Sequence, residues 1–541
     1  MKVNIRTILL TLVLSAGLIF PVSAQEQEFD PDKTTKKFQT LLYFIEHMYV
    51  DSVNGDELVE EAIRSMLEDL DPHSTYFSKE DLKAANEPLN GNFEGIGVQF
   101  NILKDTIFVV APISGGPSEK VGIMAGDKIV EIEGENVAGI GITNRDVMDK
   151  LKGPKDTKVE VGIKRGGVKR ILDFEIIRDK IPIYSVDAAY MATPEIGYVK
   201  VNRFARTTMS ELQEAIVDLK EQGMQELILD LQGNGGGLLN TAIEMADEFL
   251  PEDQMIVYTQ GRAFPKNEVF STREGLWEKG KLVVLIDEGS ASASEIVSGA
   301  IQDWDRGLVM GRRSFGKGLV QRPVNLPDGS AVRLTVQKYY TPSGRCIQKP
   351  YDEGIEAYRR EKLERIEHGE LWHPDSIDFP DSLRYQTNIK KRVVYGGGGI
   401  FPDIFVPLDT SGTSEYFSQL VRRGLTNSFV LNYMDKNRNE LADQFKSAED
   451  FVKNYKVDEE LKKELIAYAE SKEVEFDEAG FENSEEVIEI RLKALIARNL
   501  YDYSTFYQVI NELNATYNRA IEALQDGTFE KLDLAYSKLE N

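Results

Sequence analysis

Apolar stretches and amphipathic stretches alternate along residues 195–345, and this alternation limits the fold more than any other feature of the chain. Three apolar stretches have the length and composition of buried strands: 196–201, 226–231 and 281–286. Apolar residues recur at helical spacing in three longer stretches: 208–222, 238–250 and 293–304. Strands that alternate with helices predict an α/β layered core. We place this core at 182–410, with a charged, irregular insertion at 349–392.

The flanking segments predict a multidomain α/β protein, because 541 residues are too many for one hydrophobic core. Residues 25–90 carry apolar side chains at helical spacing and predict an N-terminal helical region. Residues 411–541 also have a helical pattern and are rich in Glu and Lys. We expect this C-terminal helical domain to bind an adaptor or a second copy of the chain. The net charge of −26 argues against nucleic acid as a partner, since nucleic acids favour Lys and Arg clusters.

The first 24 residues have the pattern of a signal peptide. Lys2 and Arg6 give a positive start, residues 8–20 are apolar, and Ala24 ends a small-residue cleavage site. We therefore expect an exported protein of the bacterial periplasm. The alternative is an uncleaved membrane anchor, for which the apolar run is short. The single cysteine, Cys346, excludes an intrachain disulfide, so stability must come from packing.

Residues 91–181 change to short strands and turns, and their order resembles a PDZ domain. Glycines free backbone N–H groups to converge on the terminal carboxylate of a peptide, while a strand edge pairs with the peptide main chain. The predicted carboxylate-binding loop consists of Gly95, Ile96, Gly97 and Val98. Val147 and Leu151, on a predicted helix at 143–151, complete the predicted peptide groove. The alternative is a small β-barrel that acts only as a spacer.

Three serines lie close together just before a predicted helix: Ser290, Ser292 and Ser294. Ser292 and Glu295 fit a capping box, which is a common structural feature of helix starts. A serine nucleophile is compatible with the same position. The unpaired N–H groups and the positive end of the helix dipole also stabilise a developing oxyanion.

Lys317 lies between two glycines behind Phe315, which is an unusual setting for a solvated surface charge. To act as a base near neutral pH, a lysine needs a pKa well below its usual value of about 10.4. Burial among apolar atoms lowers a lysine pKa by that much. We expect like charge from Arg312 and Arg313 to add to this effect if they fold nearby. Gln321, four residues on, is placed to orient the amine.

Residues 232–237 form a glycine-rich loop between a predicted strand and a predicted helix. No Lys-Ser or Lys-Thr follows, and the glycine spacing misses the dinucleotide pattern, so a phosphate site is not indicated. Exposed backbone N–H groups at a helix start suit an oxyanion hole for acyl transfer.

The four histidines lie outside the predicted strand–helix core: His47, His73, His368 and His373. A Ser-His-Asp triad is therefore not expected, and we interpret His73 as a structural residue after a helix end. No cluster of His and Cys indicates a metal site, and no cofactor is expected.

Taken in order, these motifs resemble the carboxy-terminal processing (tail-specific) proteases, which are Ser-Lys peptidases with a crotonase-like α/β protease core. The resemblance extends over roughly residues 35–410, with further matches at 71–74, 340–344 and 399–403. It implies that Ser292 is the nucleophile, Lys317 the general base and Gln321 its orienting partner. It also implies that the backbone N–H groups of Gly236 and Ala293 form the oxyanion hole.

The glycine-rich loop departs from this family pattern. Relatives usually carry arginine, asparagine and proline in the segment that reads Gln-Gly-Asn-Gly at 232–235 here. The departure concerns the rigidity of the loop and the assignment of Gly236, and leaves the protein class unchanged.

The resemblance implies a serine endopeptidase that captures proteins with exposed apolar C-termini through its PDZ domain and cleaves them through an acyl-enzyme. Two alternatives come from other classes: a non-catalytic PDZ scaffold and a crotonase-like acyl-CoA enzyme. The scaffold predicts the loss of Ser292 or Lys317, and both are present. The predicted export and the peptide-binding module argue against the acyl-CoA enzyme.

Overall fold

The computed structural model describes residues 30–113, 115–272, 274–377, 380–532 and 534. The predicted signal peptide at 1–24 lies outside these residues. The chain divides into two compact units, Met1–Met66 and Leu67–Asn541. Within the described ranges, no helix is both long enough and apolar enough to cross a membrane.

The N-terminal region is helical, as its apolar spacing predicted. It contains α1 (Pro31–Met48) and α2 (Gly55–Glu68). The next elements are β1 (Thr75–Phe77) and α3 (Lys79–Asn90). Helix α3 ends at Gly91, whose φ of 72° favours glycine and whose Cα lies against the Thr207 side chain.

The PDZ-like module is a small antiparallel β-structure. Its elements are β2 (Asn92–Gly95), β3 (Val98–Ile102), β4 (Ile107–Pro112), α4 (Pro117–Lys120), β5 (Lys128–Ile132), β6 (Glu135–Asn136), α5 (Asn144–Leu151), β7 (Lys158–Lys164), β8 (Leu172–Ile177) and β9 (Asp179–Pro182). The strands pair in the order β3-β4-β5-β7-β8, with β6 on β5, while β2 pairs with β9. Buried residues such as Ile107, Ile129 and Ile163 form the core of this module.

The α/β core predicted from the alternating pattern is present. Its elements are β10 (Val186–Met191), β11 (Ile196–Val201), α6 (Thr208–Glu221), β12 (Glu226–Asp230), α7 (Leu239–Asp247), β13 (Met255–Gln260), β14 (Asn267–Phe270), β15 (Lys281–Ile286), α8 (Ala293–Asp303), β16 (Leu308–Gly311), β17 (Leu319–Asn325), β18 (Ala331–Tyr340), α9 (Ile355–Glu367), β19 (Arg384–Gln386), β20 (Val393–Tyr395) and β21 (Ile404–Phe405). One six-stranded sheet has the order β10-β11-β12-β15-β16-β21, and every pair except β10 with β11 is parallel.

A second, antiparallel sheet carries the other half of the site. Its order is β1-β18-β13-β14, and β17 pairs along the other edge of β18. Gln321 on β17 lies opposite Thr335 on β18, next to a shift in register. The insertion at 349–392 contributes α9 and β19, and β19 pairs with β20 directly after the insertion.

The C-terminal region is helical. It contains α10 (Glu415–Arg422), α11 (Leu425–Gln444), α12 (Ala448–Asn454), α13 (Glu459–Glu470), α14 (Glu478–Leu500), α15 (Tyr503–Ile510), α16 (Ala515–Gln525) and α17 (Thr528–Lys531). Helices α10–α15 share a hydrophobic core of their own. Helices α16 and α17 instead contribute Tyr517, Leu524 and Phe529 to a cluster on the six-stranded sheet.

Both faces of the six-stranded sheet are therefore covered. Successive strand residues point to opposite faces. On β15, Leu282, Val284 and Ile286 pack with α6–α8, whereas Val283 and Leu285 pack with the C-terminal helices. Burial on both faces explains why β15 reads as a continuous apolar run.

Candidate active site

Ser292 lies in a strained turn between β15 and α8. Its φ of 56° and ψ of −109° place it in a region that L-residues rarely adopt. A sharp, strained strand-to-helix turn also presents the nucleophilic serine of α/β-hydrolases. The Ser292 side chain lines a cavity of about 640 Å³.

The two neighbouring serines are engaged in structural hydrogen bonds. Ser290 is fully buried, and its hydroxyl donates to the Leu231 carbonyl at 2.8 Å. Ser294 is also fully buried, and its hydroxyl donates to the Asn234 carbonyl at 2.8 Å. Of the three serines predicted as candidates, Ser292 is the one whose side chain faces the cavity.

Lys317 lines the same cavity from the opposite sheet. Its Nζ donates to Gln321 Oε1 at 3.1 Å, which is the contact expected from the sequence. The Gln321 amide nitrogen donates in turn to the His73 carbonyl, so the amide oxygen is directed at the lysine. Burial lowers the pKa of Lys317, and the positive charge of Arg333 lowers it further.

Arg312 and Arg313 are not among the charges that lower the pKa of Lys317, and each has a carboxylate partner. Arg312 pairs with Glu288 at 2.8 Å, and Arg313 pairs with Glu370 at 2.5 Å. The like charge on Lys317 comes from Arg333 on β18, whose guanidinium stands 4.9 Å from the centre of the Phe77 ring. The hairpin of β17 and β18 brings Arg333 to the cavity that Lys317 lines, and the sequence analysis did not identify this contact.

The carboxylate of Glu295 joins the segment of Ser292 to the segment of Lys317. Oε2 accepts the Ser292 N–H at 2.8 Å and the Lys317 N–H at 2.9 Å. Oε1 accepts the Gly316 N–H at 2.7 Å and the Ser314 hydroxyl at 2.5 Å. Burial raises the pKa of Glu295 to about 6 although these bonds oppose the rise, so the group is ionised at neutral pH. The sequence identified Glu295 only as a helix cap.

Tyr339 joins the same two segments through their carbonyl groups. Its buried hydroxyl lies 3.0 Å from the Ser292 carbonyl oxygen and also within hydrogen-bonding distance of the Lys317 carbonyl oxygen. Burial raises the pKa of Tyr339 well above its usual value, so the hydroxyl remains a donor. Sequence reasoning missed Tyr339 because no local pattern distinguishes it on strand β18.

Gly236 and Ala293 lie beside Ser292, as the resemblance implied. A Cβ on Gly236 would come within 2.8 Å of Ser292 Cβ and 3.0 Å of the Ala293 nitrogen, and the φ of Gly236 is 99°. Only glycine fits there. The Ala293 N–H has no acceptor among the described residues. The Gly236 N–H donates to Asn234 Oδ1 at 2.9 Å, so this second donor is already engaged.

His73 supports the site without lining the cavity formed by the described residues. Its backbone N–H donates to Asp71 Oδ1 at 2.8 Å, and its ring Nε2 lies 2.8 Å from the Tyr358 hydroxyl. Burial and then the charge of Lys317 lower the pKa of His73 to about 4, so the ring is neutral at neutral pH. Tyr358 belongs to α9, and the insertion therefore reaches the neighbourhood of the lysine.

A second cavity, of about 310 Å³, lies on the PDZ-like module. Five of the six predicted groove residues line it: Gly95, Ile96, Gly97, Val98 and Leu151. The assignment of Val147 is wrong, because this side chain is fully buried in the module's core. The neighbouring Met148 lines the groove instead. Helical phase explains the error, since adjacent positions on α5 point in different directions.

Helix α3 lies between the two cavities. Glu87 and Pro88 line the groove, whereas Leu82, Asn86 and Leu89 line the cavity that holds Ser292. Lys152, at the end of α5, forms an ion pair of 2.5 Å with Glu87. The groove and the serine cavity thus share a wall.

Family models match most of the chain. Residues 195–357 match peptidase family S41, 95–176 match a PDZ domain and 20–81 match the N-terminal domain of the activating protease CtpB. Residues 416–502 match a family of unknown function.

Named proteins are similar over the same region. A carboxy-terminal-processing protease of Bartonella bacilliformis is 39% identical over 346 residues, which cover 62% of this chain and 78% of that protein. The chain belongs to the carboxy-terminal processing proteases of peptidase family S41. The carboxy-terminal processing protease CtpB of Bacillus subtilis is 36% identical, covering 62% of this chain and 69% of that protein. A solved photosystem II D1 C-terminal processing protease is 30% identical with a TM-score of 0.33, covering 59% of this chain and 91% of that chain.

These comparisons confirm the family and the fold class predicted from the motifs. The PDZ-like module is a PDZ domain, and the α/β core is the S41 peptidase core. Among the described residues, no group of three or more His, Cys, Asp or Glu side chains is placed to hold a metal ion.

We expect Glu295→Gln to lower kcat by about 100-fold, the loss that a displacement of about 1 Å causes in an active site. The glutamine NH₂ would face a backbone N–H, so one of the two catalytic segments would lose its acceptor. Steady-state cleavage of a disordered protein, corrected for the folded fraction by circular dichroism, measures the effect.

Asp403→Asn is the matched control, because Asp403 is another buried carboxylate and accepts the Val309 N–H at 2.8 Å, away from the cavity. We expect it to lower stability while the folded fraction keeps its kcat. An equal loss of kcat in both variants would contradict the role of Glu295.

Proposed function

We propose that this chain is an exported serine endopeptidase in which Ser292 is the nucleophile and Lys317 the general base. One observation carries the proposal. The two side chains line a single cavity, and their backbone N–H groups share one buried carboxylate oxygen of Glu295. The lowered pKa of Lys317 is consistent with a base that is neutral at working pH.

The proposed reaction proceeds in two halves. Neutral Lys317 Nζ, oriented by Gln321 Oε1, takes the proton of the Ser292 hydroxyl as Oγ attacks the peptide carbonyl carbon. The lysine ammonium then gives this proton to the leaving amine as the C–N bond breaks and the acyl-enzyme forms. In the second half, Lys317 takes a proton from water as the water oxygen attacks the ester. It returns this proton to Ser292 Oγ as the ester C–O bond breaks and the new C-terminus leaves.

The proposed oxyanion hole consists of the N–H groups of Ala293 and Gly236. Ala293 stands at the first position of α8, where the positive end of the helix dipole favours negative charge. The Gly236 N–H must leave Asn234 Oδ1, or share it, to reach the oxyanion. We therefore propose that substrate binding completes the hole.

The proposed substrates are proteins with exposed apolar C-termini. Gly95, Ile96, Gly97 and Val98 supply the loop at the PDZ groove, while Met148 and Leu151 supply apolar surface. The helix α3, which borders both cavities, is the proposed route by which a filled groove affects the cleavage site.

Export to the periplasm and self-association are further parts of the proposal. Export rests on the signal-peptide pattern of residues 1–24. The helical region at 411–541 is proposed to contact an adaptor or a second copy of the chain.

We expect Ser292→Ala and Lys317→Ala each to abolish cleavage of a disordered protein such as casein. The first variant lacks the attacking oxygen and the second lacks the proton acceptor. Lys338→Ala, an exposed lysine on β18, is the matched control and should keep full activity. Acid-quenched mass spectrometry should detect an acyl group on Ser292 in the wild type. Cleavage that persists in the two active-site variants would refute the assignment.

Arg333→Gln should shift the acidic limb of the kcat/KM profile to higher pH. Arg333 lowers the pKa of Lys317, so its removal raises that pKa and a smaller fraction of the lysine is neutral at any lower pH. Arg322→Gln is the control, because Arg322 is exposed on β17 and stacks on Phe264. An acidic limb that stays in place, or moves to lower pH, would contradict the conclusion that Arg333 lowers the pKa of Lys317.

Met148→Ala should raise KM for an apolar C-terminal peptide by roughly tenfold while kcat changes little, because burial of a methionine contributes about 1.5–3 kcal/mol. Met124→Ala is the control, since Met124 is an exposed methionine of the same domain that does not line the groove. Titration of a fluorescent peptide against both variants gives the affinities directly. Equal affinities in the two variants would refute the proposal that this groove binds the C-terminal peptide.

A further inference from the structure

The glycine-rich loop is held at its start by a residue from the C-terminal helices. Gln232 is the first residue of the loop, and its side-chain Oε1 accepts a hydrogen bond from Asn514 Nδ2 at 2.9 Å. Its backbone N–H donates to Asp230 Oδ1 at 2.7 Å, and its carbonyl accepts from Lys200 Nζ at 2.5 Å. Gly236, four residues later, lies against Ser292.

The orientation of both amides is fixed by their neighbours. Asn514 is the N-cap of α16, and its Oδ1 accepts the N–H groups of Thr516 at 3.1 Å and Tyr517 at 3.2 Å. The NH₂ group of Asn514 must therefore face Gln232, and Gln232 must present its oxygen. Helix α16 itself is anchored on the six-stranded sheet through Tyr517 and Leu524.

The loop has cavities on two sides. Gly235, Gly236 and Gly237 line the cavity that holds Ser292. Gln232 and Gly233 line a separate cavity of about 620 Å³, whose other wall includes Asn511, Asn514 and Thr516. Between the two cavities the loop is positioned by the close packing of Gly236 and Gly237 and by hydrogen bonds along its length, among them the contact of Gln232 with Asn514.

The resemblance implies arginine, asparagine and proline in the segment 232–235, whereas this chain has glutamine at 232 and no arginine in the segment. An arginine has donors only, and they would face the NH₂ donors of Asn514. A glutamine at 232 and an asparagine at 514 are therefore chemically matched.

We propose that Asn514 is a positioning residue for the reaction: through Gln232, the C-terminal helices hold the start of the oxyanion-hole loop in register with Ser292. This inference rests on the proposed function, because it presumes that Gly236 and Ala293 bind the oxyanion. It gives the helices after residue 502 a part in catalysis, besides covering the sheet.

Four full-length variants test the contact. Asn514→Ser keeps an N-cap oxygen but removes the NH₂ donor, and Asn514→Asp keeps the cap and lets the Gln232 amide rotate to donate. Gln232→Arg opposes donor to donor, and the double variant Gln232→Arg with Asn514→Asp replaces that clash by an ion pair. Each variant is assayed for kcat and KM on a disordered peptide, for the inhibition constant of a peptide aldehyde, and for Tm.

We expect Asn514→Ser and Gln232→Arg to lower kcat by roughly five- to tenfold, as the loss of one hydrogen bond predicts. KM should stay constant, and aldehyde inhibition should weaken in parallel with kcat because the aldehyde adduct uses the oxyanion hole. Asn514→Asp and the double variant should stay near wild type.

Three outcomes would overturn the proposal. The first is wild-type kcat in both Asn514→Ser and Gln232→Arg. The second is an equal fall of kcat in Asn514→Ser and Asn514→Asp that follows Tm, which would make Asn514 a structural cap only. The third is a double variant no more active than Gln232→Arg, a comparison that holds even if Asn514→Ser fails to fold. Ser292→Ala in the same assay separates the two ideas, since full activity there would refute the proposed function itself.

Discussion

One buried carboxylate determines the geometry of the whole site. Glu295 starts as an ordinary helix-cap residue, yet its two oxygens accept hydrogen bonds from Ser292, Ser314, Gly316 and Lys317. The serine follows a strand of the parallel sheet, whereas the lysine precedes a strand of the antiparallel sheet. The connectivity of the chain alone does not bring the side chains of Ser292 and Lys317 together. A charged acceptor in a dry interior forms stronger hydrogen bonds than a neutral one, so this single group fixes two segments that come from different sheets.

The same carboxylate helps to maintain the strain at Ser292. A non-glycine residue in this backbone region costs about 1–3 kcal/mol and persists only where its surroundings over-determine it. The N–H of Ser292 is held by Glu295 and its carbonyl by Tyr339, so both peptide groups of the strained residue have partners. The same two residues bind the backbone of Lys317: Glu295 accepts its N–H, and the Tyr339 hydroxyl lies at its carbonyl oxygen. The contacts with Glu295 and Tyr339 therefore stabilise both the strained backbone of Ser292 and the buried segment of Lys317.

Sequence reasoning succeeded where the information is local and periodic. The apolar run of β15, the helix after Ser292 and the spacing of Lys317 and Gln321 all lie within short windows. It failed where a contact depends on pairing across more than two hundred residues. His73 reaches Gln321 because β1 pairs with one edge of β18 while β17 pairs with the other. The error at Val147 has a smaller cause, since a helix phase that is wrong by one residue exchanges a core position for a groove position.

The position of the glycine-rich loop follows from sheet topology. Loops that follow parallel strands gather at the carboxyl edge of the sheet, and ligands bind there. The loop after β12 and the loop after β15 are neighbours for this reason, and Asp287 joins them by accepting the Gly233 N–H at 2.8 Å and the Gly289 N–H at 2.9 Å. The C-terminal helices cover one face of the same sheet. The start of α16 lies beside this edge, next to the glycine-rich loop. Any segment that covers that face must meet the loop, so a region that stabilises the sheet is also placed to influence the chemistry.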